Sequence, residues 1–134
     1  MTEPTIDPAL VLACMGDASD GVRQLTDDVA TLAQQYRQHD LGAANVGTIR
    51  LAIDLQALVV LVQSLRGTLP SNTSLQKLPS EAALEQLVSL LESVVTAQAA
   101  NDWLTVADIL EYDLHPKLQE WFEKFDEVRK ALAA

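Results

Sequence analysis

The chain has 134 residues, of which 49% are hydrophobic and 4% aromatic, so it is long enough for one domain with a core and too short for two. Few glycines and abundant Leu, Ala, Val and Gln favour helices over a sheet sandwich, and the predicted fold class is all-α. The formal charge of -10 would repel nucleic acid and anionic membrane surfaces, so we expect neither as a partner.

The first predicted element is a helical seam that begins near Val11. Apolar or small residues recur there in two sets spaced by seven, which are Val11, Ala18, Leu25 and Leu32, and Met15, Val22, Val29 and Tyr36. The register continues through the segment from Gly16 to Gly21, which allows one long helix or two coaxial pieces. Because glycines and capping residues favour a local break, we expect an N-terminal arm or short helix within 1–16, near 8–15, and a main helix over 19–38.

The second helix is predicted over 41–66, with Asp40 as its N-cap and Gly67 just after its end. It is apolar nearly all round, with one face marked by Ile49, Ile53 and Val60 and another by Leu51, Leu55, Leu58, Val62 and Leu65. We therefore expect it to pack on several neighbours and to be excluded from solvent. Arg50, Asp54 and two glutamines interrupt the run, so a membrane span of about 20 apolar residues is not expected.

Residues 67–79 are rich in Ser, Thr, Asn and Pro and predict a linker that crosses one end of a bundle. Ser80 begins a third helix over 80–100, whose core stripe is Leu84, Leu87, Leu91, Val94 and Val95. Asp102 caps a fourth helix over 103–131, whose stripe is Trp103, Ala107, Leu110, Leu114, Leu118, Trp121, Phe125, Val128 and Leu132.

Together these elements predict an antiparallel four-helix bundle of two helical hairpins, folded as a single domain over 1–134. The two halves also share a similar residue pattern at a spacing of 62 residues, here called the echo, in which Val22 corresponds to Leu84 and His39 to Asn101. The echo fades beyond the second hairpin turn, and a duplication is one interpretation of it.

A polar cluster on the fourth helix is the one place where the sequence suggests a ligand or metal site. Glu111 lies at the border of the apolar stripe, with Tyr112 beside it and His115 one turn later. Pro116 lacks a backbone N–H, so the helix should kink near Glu111 to Leu114 and expose backbone there.

Two charges on the apolar second helix, Arg50 and Asp54, are the candidate partners of this cluster. They could pair with each other or meet Glu111, since unpaired charges inside a bundle are costly. A structural ion pair is the commoner role for such residues, and a ligand-binding or metal-binding site around Glu111 is the alternative.

Enzyme motifs are missing from the sequence. There is no Gly-rich phosphate loop, no Ser-His-Asp arrangement and no Glu-x-x-His pair of the kind that di-metal bundles use. The single cysteine, Cys14, excludes an internal disulfide, fits a reducing cytoplasm and lies in an apolar context that disfavours a nucleophile. We expect no catalytic residue, no metal and no cofactor.

The segment from Asp102 to Trp121 resembles a motif of small uncharacterised bacterial helical-bundle proteins, DWxxxADILEYxLxPxLxxW. The resemblance covers about thirty C-terminal residues and implies a helical bundle without any established active residues. In size, fold class and acidic charge the chain is also similar to flagellar export chaperones, although the N-terminal aromatic and turn pattern of the flagellin chaperone is missing.

Surplus hydrophobicity is the basis of the expected function. The second helix and the N-terminal segment offer more apolar surface than a four-helix core of this size absorbs. We expect a non-enzymatic, chaperone-like or protein-interaction module of the cytoplasm that associates with itself as a homodimer. The candidate interface residues are Leu10, Val11, Met15, Trp103 and Trp121.

Overall fold

A computed structural model describes residues 7–68 and 74–133, and within them the chain is helical without a strand. The helices are α1 (Pro8–Arg37), α2 (Leu41–Thr68), α3 (Glu81–Ala99), α4 (Trp103–Asp108) and α5 (His115–Ala133). A π-helical segment, Ile109–Leu114, joins α4 to α5, and the three pieces together are called the C-terminal helix. The prediction of an all-α helical bundle is confirmed.

Each helix packs against its neighbours in the chain, and α1 also packs along the C-terminal helix for most of its length. The contact between α2 and α3 is the least extensive of these, and within the described ranges α1 and α3 do not meet. The arrangement is a bundle of two hairpins. Both seven-residue sets predicted for α1 are buried in its core.

The linker closes one end of the bundle through a short 3₁₀ turn, Leu75–Lys77. Leu75 and Leu78 are buried, and the turn packs on both α2 and α5. Arg66 holds it in place, because Nη1 donates to the carbonyl oxygens of Gln76 (3.0 Å) and Leu78 (2.9 Å). The described part of the linker thus lies across one end of the bundle, as predicted. Residues 69–73 of the linker lie outside the described residues.

The predicted break in the first helix is wrong, since α1 is one helix of 30 residues. Asp7 caps it by accepting a hydrogen bond from Ala9 N at 2.9 Å, and residues 1–6 of the predicted arm lie outside the described residues. Each glycine inside a helix costs about 1 kcal/mol relative to alanine. Burial of Met15 and Val22 on either side stabilises the helix by about 1.5–3 kcal/mol for each side chain, which outweighs that cost.

The two hairpin turns have the same backbone geometry. His39 and Asn101 each adopt φ 57°, the left-handed conformation, at a separation of 62 residues. The same hydrogen bonds close both turns: Asp40 N donates to Gln35 O at 3.0 Å, and Asp102 N donates to Ala97 O at 2.9 Å. The predicted echo therefore extends to the backbone of the turns.

The π-helical segment explains why the echo fades after the second turn. His115 N donates to Leu110 O, five residues back, at the point where Pro116 predicts an irregular helix. The segment contains one residue more than α2 has there, so the two halves match again at a spacing of 63. The matching buried pairs are then Leu51 and Leu114, Leu55 and Leu118, Leu58 and Trp121, and Val62 and Phe125.

Candidate functional site

The predicted polar cluster on the C-terminal helix is an exposed ion pair with a different partner from the one expected. Arg37 Nη2 lies 2.7 Å from Glu111 Oε2 and 2.9 Å from Asp108 Oδ1, and the Glu111 side chain is 45% exposed. The hydrogen bonds that Arg37 donates to these carboxylates raise the pKa of its guanidinium, first through Asp108 and then through Glu111. Such exposed pairs contribute little to stability, because water screens them.

Tyr112 belongs to the same cluster. Its ring centroid lies 5.9 Å from the guanidinium carbon of Arg37, and its side chain is exposed. Hydrogen bonding to the neighbouring Glu111 carboxylate raises the pKa of Tyr112, because the carboxylate favours the protonated phenol.

Arg50 and Asp54 do not join Glu111. Both are exposed, and they line grooves between α1 and α2, with Arg50 beside Leu32 and Asp54 beside Leu25. The expectation that these charges are buried is wrong, because no helix of the described ranges covers the side of α2 that carries them. His115 is partly buried at the start of α5, and no group of three His, Cys, Asp or Glu among the described residues could hold a metal ion.

Most of the predicted interface residues belong to the core. Val11, Met15 and Trp121 are buried, since their heptad positions face the other helices, so they form no surface for a partner. Trp103 is partly buried and stacks on Tyr36, with ring centroids 6.0 Å apart. Leu10, 59% exposed, is the one of the five that is open to solvent.

A buried polar network around Tyr36 joins three helices at the hairpin-turn end of the bundle. The Tyr36 hydroxyl lies 2.9 Å from Asn45 Oδ1 and 2.8 Å from Thr48 Oγ1, and it accepts a hydrogen bond from Gln98 Nε2 at 2.9 Å. The sequence places Tyr36 in the core but gives no signal for the partners, because they come from α2 and α3. The network is structural, since all of these groups satisfy one another.

The outer face of α2 is the largest departure from the expected packing. Four branched apolar side chains are exposed there, Val46 (69%), Ile49 (63%), Ile53 (61%) and Val60 (60%), and we call them the α2 strip. The opposite face, with Leu51, Leu55, Leu58 and Val62, is buried in the core. The prediction that α2 is excluded from solvent is therefore wrong for one face, because no helix among residues 7–68 and 74–133 packs against that face.

The second hairpin shows that the fold does not require apolar residues at these positions. By the spacings of 62 and 63, the α2 strip corresponds on the C-terminal helix to Asp108, Glu111, Pro116 and Glu123. These residues are polar apart from the proline. An outer face with charged side chains is thus compatible with the same type of helical hairpin.

The α2 helix has a high mean hydropathy in spite of Arg50 and Asp54. Within the described residues, Leu41–Gly67 is long and apolar enough to cross a membrane, with a mean hydropathy of 1.6 in its most apolar window. Only 28% of that window is buried in the bundle.

Acidic side chains border the α2 strip on both sides. The groove between α1 and α2, with a volume of about 330 Å³, has an apolar floor and is edged by Asp28 and Asp54. The groove between α2 and α3, about 190 Å³, is lined by Glu81, Glu85 and Glu92. Among the described residues that line these two grooves and a third one next to Gly47, the only basic side chain is Arg50.

Fold and surface together define an acidic, all-helical bundle with an apolar face on one outer helix. Residues 14–124 match the family model described as Domain of unknown function (DUF8042), and the chain belongs to this family. The matched range begins inside α1 and ends inside α5, so it includes both hairpin turns. No curated protein and no solved structure matches the chain.

Proposed function

We propose that this chain is a non-enzymatic protein-interaction module, chaperone-like in holding a helix of its partner, and that the α2 strip is its docking surface. The observation that supports this proposal most is the contrast between Ile49 and Val60, exposed on α2, and the charged residues Glu111 and Glu123 at the equivalent positions. We also propose the cytoplasm as its location, on the basis of the single cysteine.

The spacing of the α2 strip suits a helical partner. Val46, Ile53 and Val60 are seven residues apart, and Ile49 lies between the first two, as in the seam of two packed helices. Full burial of one such side chain is worth about 1.5–3 kcal/mol, so a partner with an apolar helical face would gain from covering the strip.

The ligand-site alternative around Glu111 has no comparable support. Glu111 is already paired with Arg37, and the side chains expected to complete a site, Arg50 and Asp54, lie on a different part of the surface.

The proposal predicts that a strip variant loses a partner that the folded chain otherwise binds. Ile49→Glu with Val60→Glu gives α2 the residues of the C-terminal helix at the equivalent positions, and both sites are exposed, so the fold should persist. The matched control is Leu104→Glu, at an apolar position of α4 that is 65% exposed and outside the strip.

Affinity purification of each variant from the native cell, followed by mass spectrometry, measures the effect. We expect at least one protein to be retained by the wild-type chain and by Leu104→Glu and lost by the double variant. Identical sets of bound proteins for all three chains would contradict the proposal. Self-association as a homodimer stays a prediction, and light scattering of the same three chains tests it. A dimer that only the double variant loses would place the contact between the copies at the α2 strip.

A further inference from the structure

The charges around the α2 strip specify the chemistry of its partner, an inference that rests on the proposed function. We infer that the strip docks an amphipathic helix with an apolar stripe and with Lys or Arg residues on both sides of that stripe. The occupant is thus a cationic helical segment of another protein.

Both borders of the α2 strip have a net negative charge, which complements the Lys or Arg residues of the inferred helix. Glu85 and Glu92 are seven residues apart on α3 and therefore lie on one helix face, along the groove beside the strip. Asp28 and Asp54 edge the groove on the other side, where Arg50 in the adjoining groove is the one basic side chain, so this border also has a net negative charge. Basic side chains that flank an apolar seam on a docked helix would meet these two rows of carboxylates.

The α2 strip is too small for apolar contact alone to hold a partner in a stable complex. At a rise of 1.5 Å per residue, the stretch 46–60 is about 20 Å long, and one helix is about 10 Å wide. This area, on the order of 200 Å², is well below the roughly 800 Å² that each partner buries in a stable interface. A partner must therefore gain part of its affinity from the grooves and their acidic borders.

A second copy of this chain fits the same surface poorly. Two α2 strips packed face to face would bring the acidic borders of both copies together, and like charges at an interface oppose association. An anionic lipid surface meets the same repulsion. A membrane span would also have to remove Leu55 and Val62 from the core, where both are fully buried.

Synthetic peptide helices with one common apolar stripe test the inference. Three peptides differ only in the flanking positions, which carry Lys, Gln or Glu, and fluorescence anisotropy measures their binding to the full chain. We expect the Lys peptide to bind at least about tenfold more tightly than the Gln peptide, and the Glu peptide not to bind. The preference for Lys should weaken as salt shortens the screening length from about 30 Å at 0.01 M to about 10 Å at 0.1 M.

Variants of the chain separate this docking from general attraction between a basic peptide and an acidic protein. The double variant Glu85→Lys with Glu92→Lys should bind the Lys peptide more weakly and should bind the Glu peptide. The matched control, Glu120→Lys with Glu123→Lys on the outer face of α5, changes the net charge equally and should leave both peptides unaffected. Ile49→Glu should reduce binding of the Lys peptide, although it adds a negative charge.

Several results would overturn the inference. Equal binding of the Lys and Gln peptides, lost in Ile49→Glu, would refute the cationic partner and leave the proposed function intact. If the wild-type chain is a dimer and Ile49→Glu dissociates it, the α2 strip binds a second copy of the chain. If the chain binds zwitterionic vesicles and Ile49→Glu abolishes this binding, the α2 strip binds a membrane. If none of the peptides binds and the strip variants retain every cellular partner, the proposed function fails as well.

Discussion

At the scale of single residues, Tyr36 connects the two hairpins. Its hydroxyl contacts Asn45 and Thr48 on α2 and Gln98 on α3, and its ring stacks on Trp103 at the start of α4. Heptad spacing is enough to predict that Tyr36 is buried, because spacing depends on one helix alone. The network is beyond such a prediction, since its members meet only after three helices have packed.

Removal of this hydroxyl should destabilise the fold. Tyr36→Phe leaves the amide of Gln98 and the hydroxyl of Thr48 without one of their partners in a buried site, at a cost of about 1–3 kcal/mol in the free energy of unfolding. Urea denaturation measures the effect, with Tyr112→Phe as the control because Tyr112 is 66% exposed. Equal stability of the two variants would show that the network adds nothing.

At the scale of elements, the periodicity of α2 predicts its two apolar faces but not how many neighbours cover them. A helix that is apolar all round is usually buried, and for that reason the sequence favours burial of Ile49 and Ile53. The number of helices in the bundle decides the outcome, and this chain has none to place over that face in the described ranges. Val95 is a similar case: it follows the buried Val94 in the predicted stripe of α3 but is 58% exposed.

Two glycines, one in α1 and one in α2, should respond in opposite ways to substitution by alanine. Gly21 lies in the interior of α1 with no atom within 4 Å of an added Cβ, so Gly21→Ala should stabilise the protein by about 0.5–1 kcal/mol. At Gly47 an added Cβ would lie 2.5 Å from Leu32 Cδ2 in the core. Overpacking costs about 1–3 kcal/mol, which offsets the gain of about 1 kcal/mol in helix propensity, so Gly47→Ala should destabilise the protein by up to about 2 kcal/mol.

Denaturant unfolding of both variants, with the wild-type chain as reference, measures the two changes. Because the substitution is the same in both cases, the difference between them reports the packing of α1 on α2. A stabilising Gly47→Ala would mean that Leu32 can move aside without loss of contact.

At the scale of the whole molecule, excess negative charge opposes the compact state. The net charge is -10, and the acidic borders of the α2 strip concentrate part of it on one side. Composition alone is enough to predict the charge, but its distribution depends on which helix faces lie next to each other. Glu85 and Asp54, for example, border the same strip although they belong to different hairpins.

We therefore expect sodium chloride to raise the melting temperature of the isolated chain, since screening weakens this repulsion. The variant with Glu85→Lys and Glu92→Lys should respond less, because it carries four fewer net negative charges. Thermal unfolding followed by circular dichroism, at several salt concentrations below 0.5 M, roughly the range where screening dominates, checks both expectations. A melting temperature that is independent of salt in the wild-type chain would contradict the argument.

The extra residue in the π-helical segment has a consequence for tracing the history of this chain. A residue inserted into an ordinary α-helix turns everything after it by about 100°, so a core would be lost unless the insertion is absorbed locally. Here Ile109–Leu114 absorbs it, and α5 buries the counterparts of the α2 core. An alignment of one hairpin with the other therefore needs a single gap within this segment. A sequence search for related single hairpins that allows no gap would align the two halves only as far as Leu110.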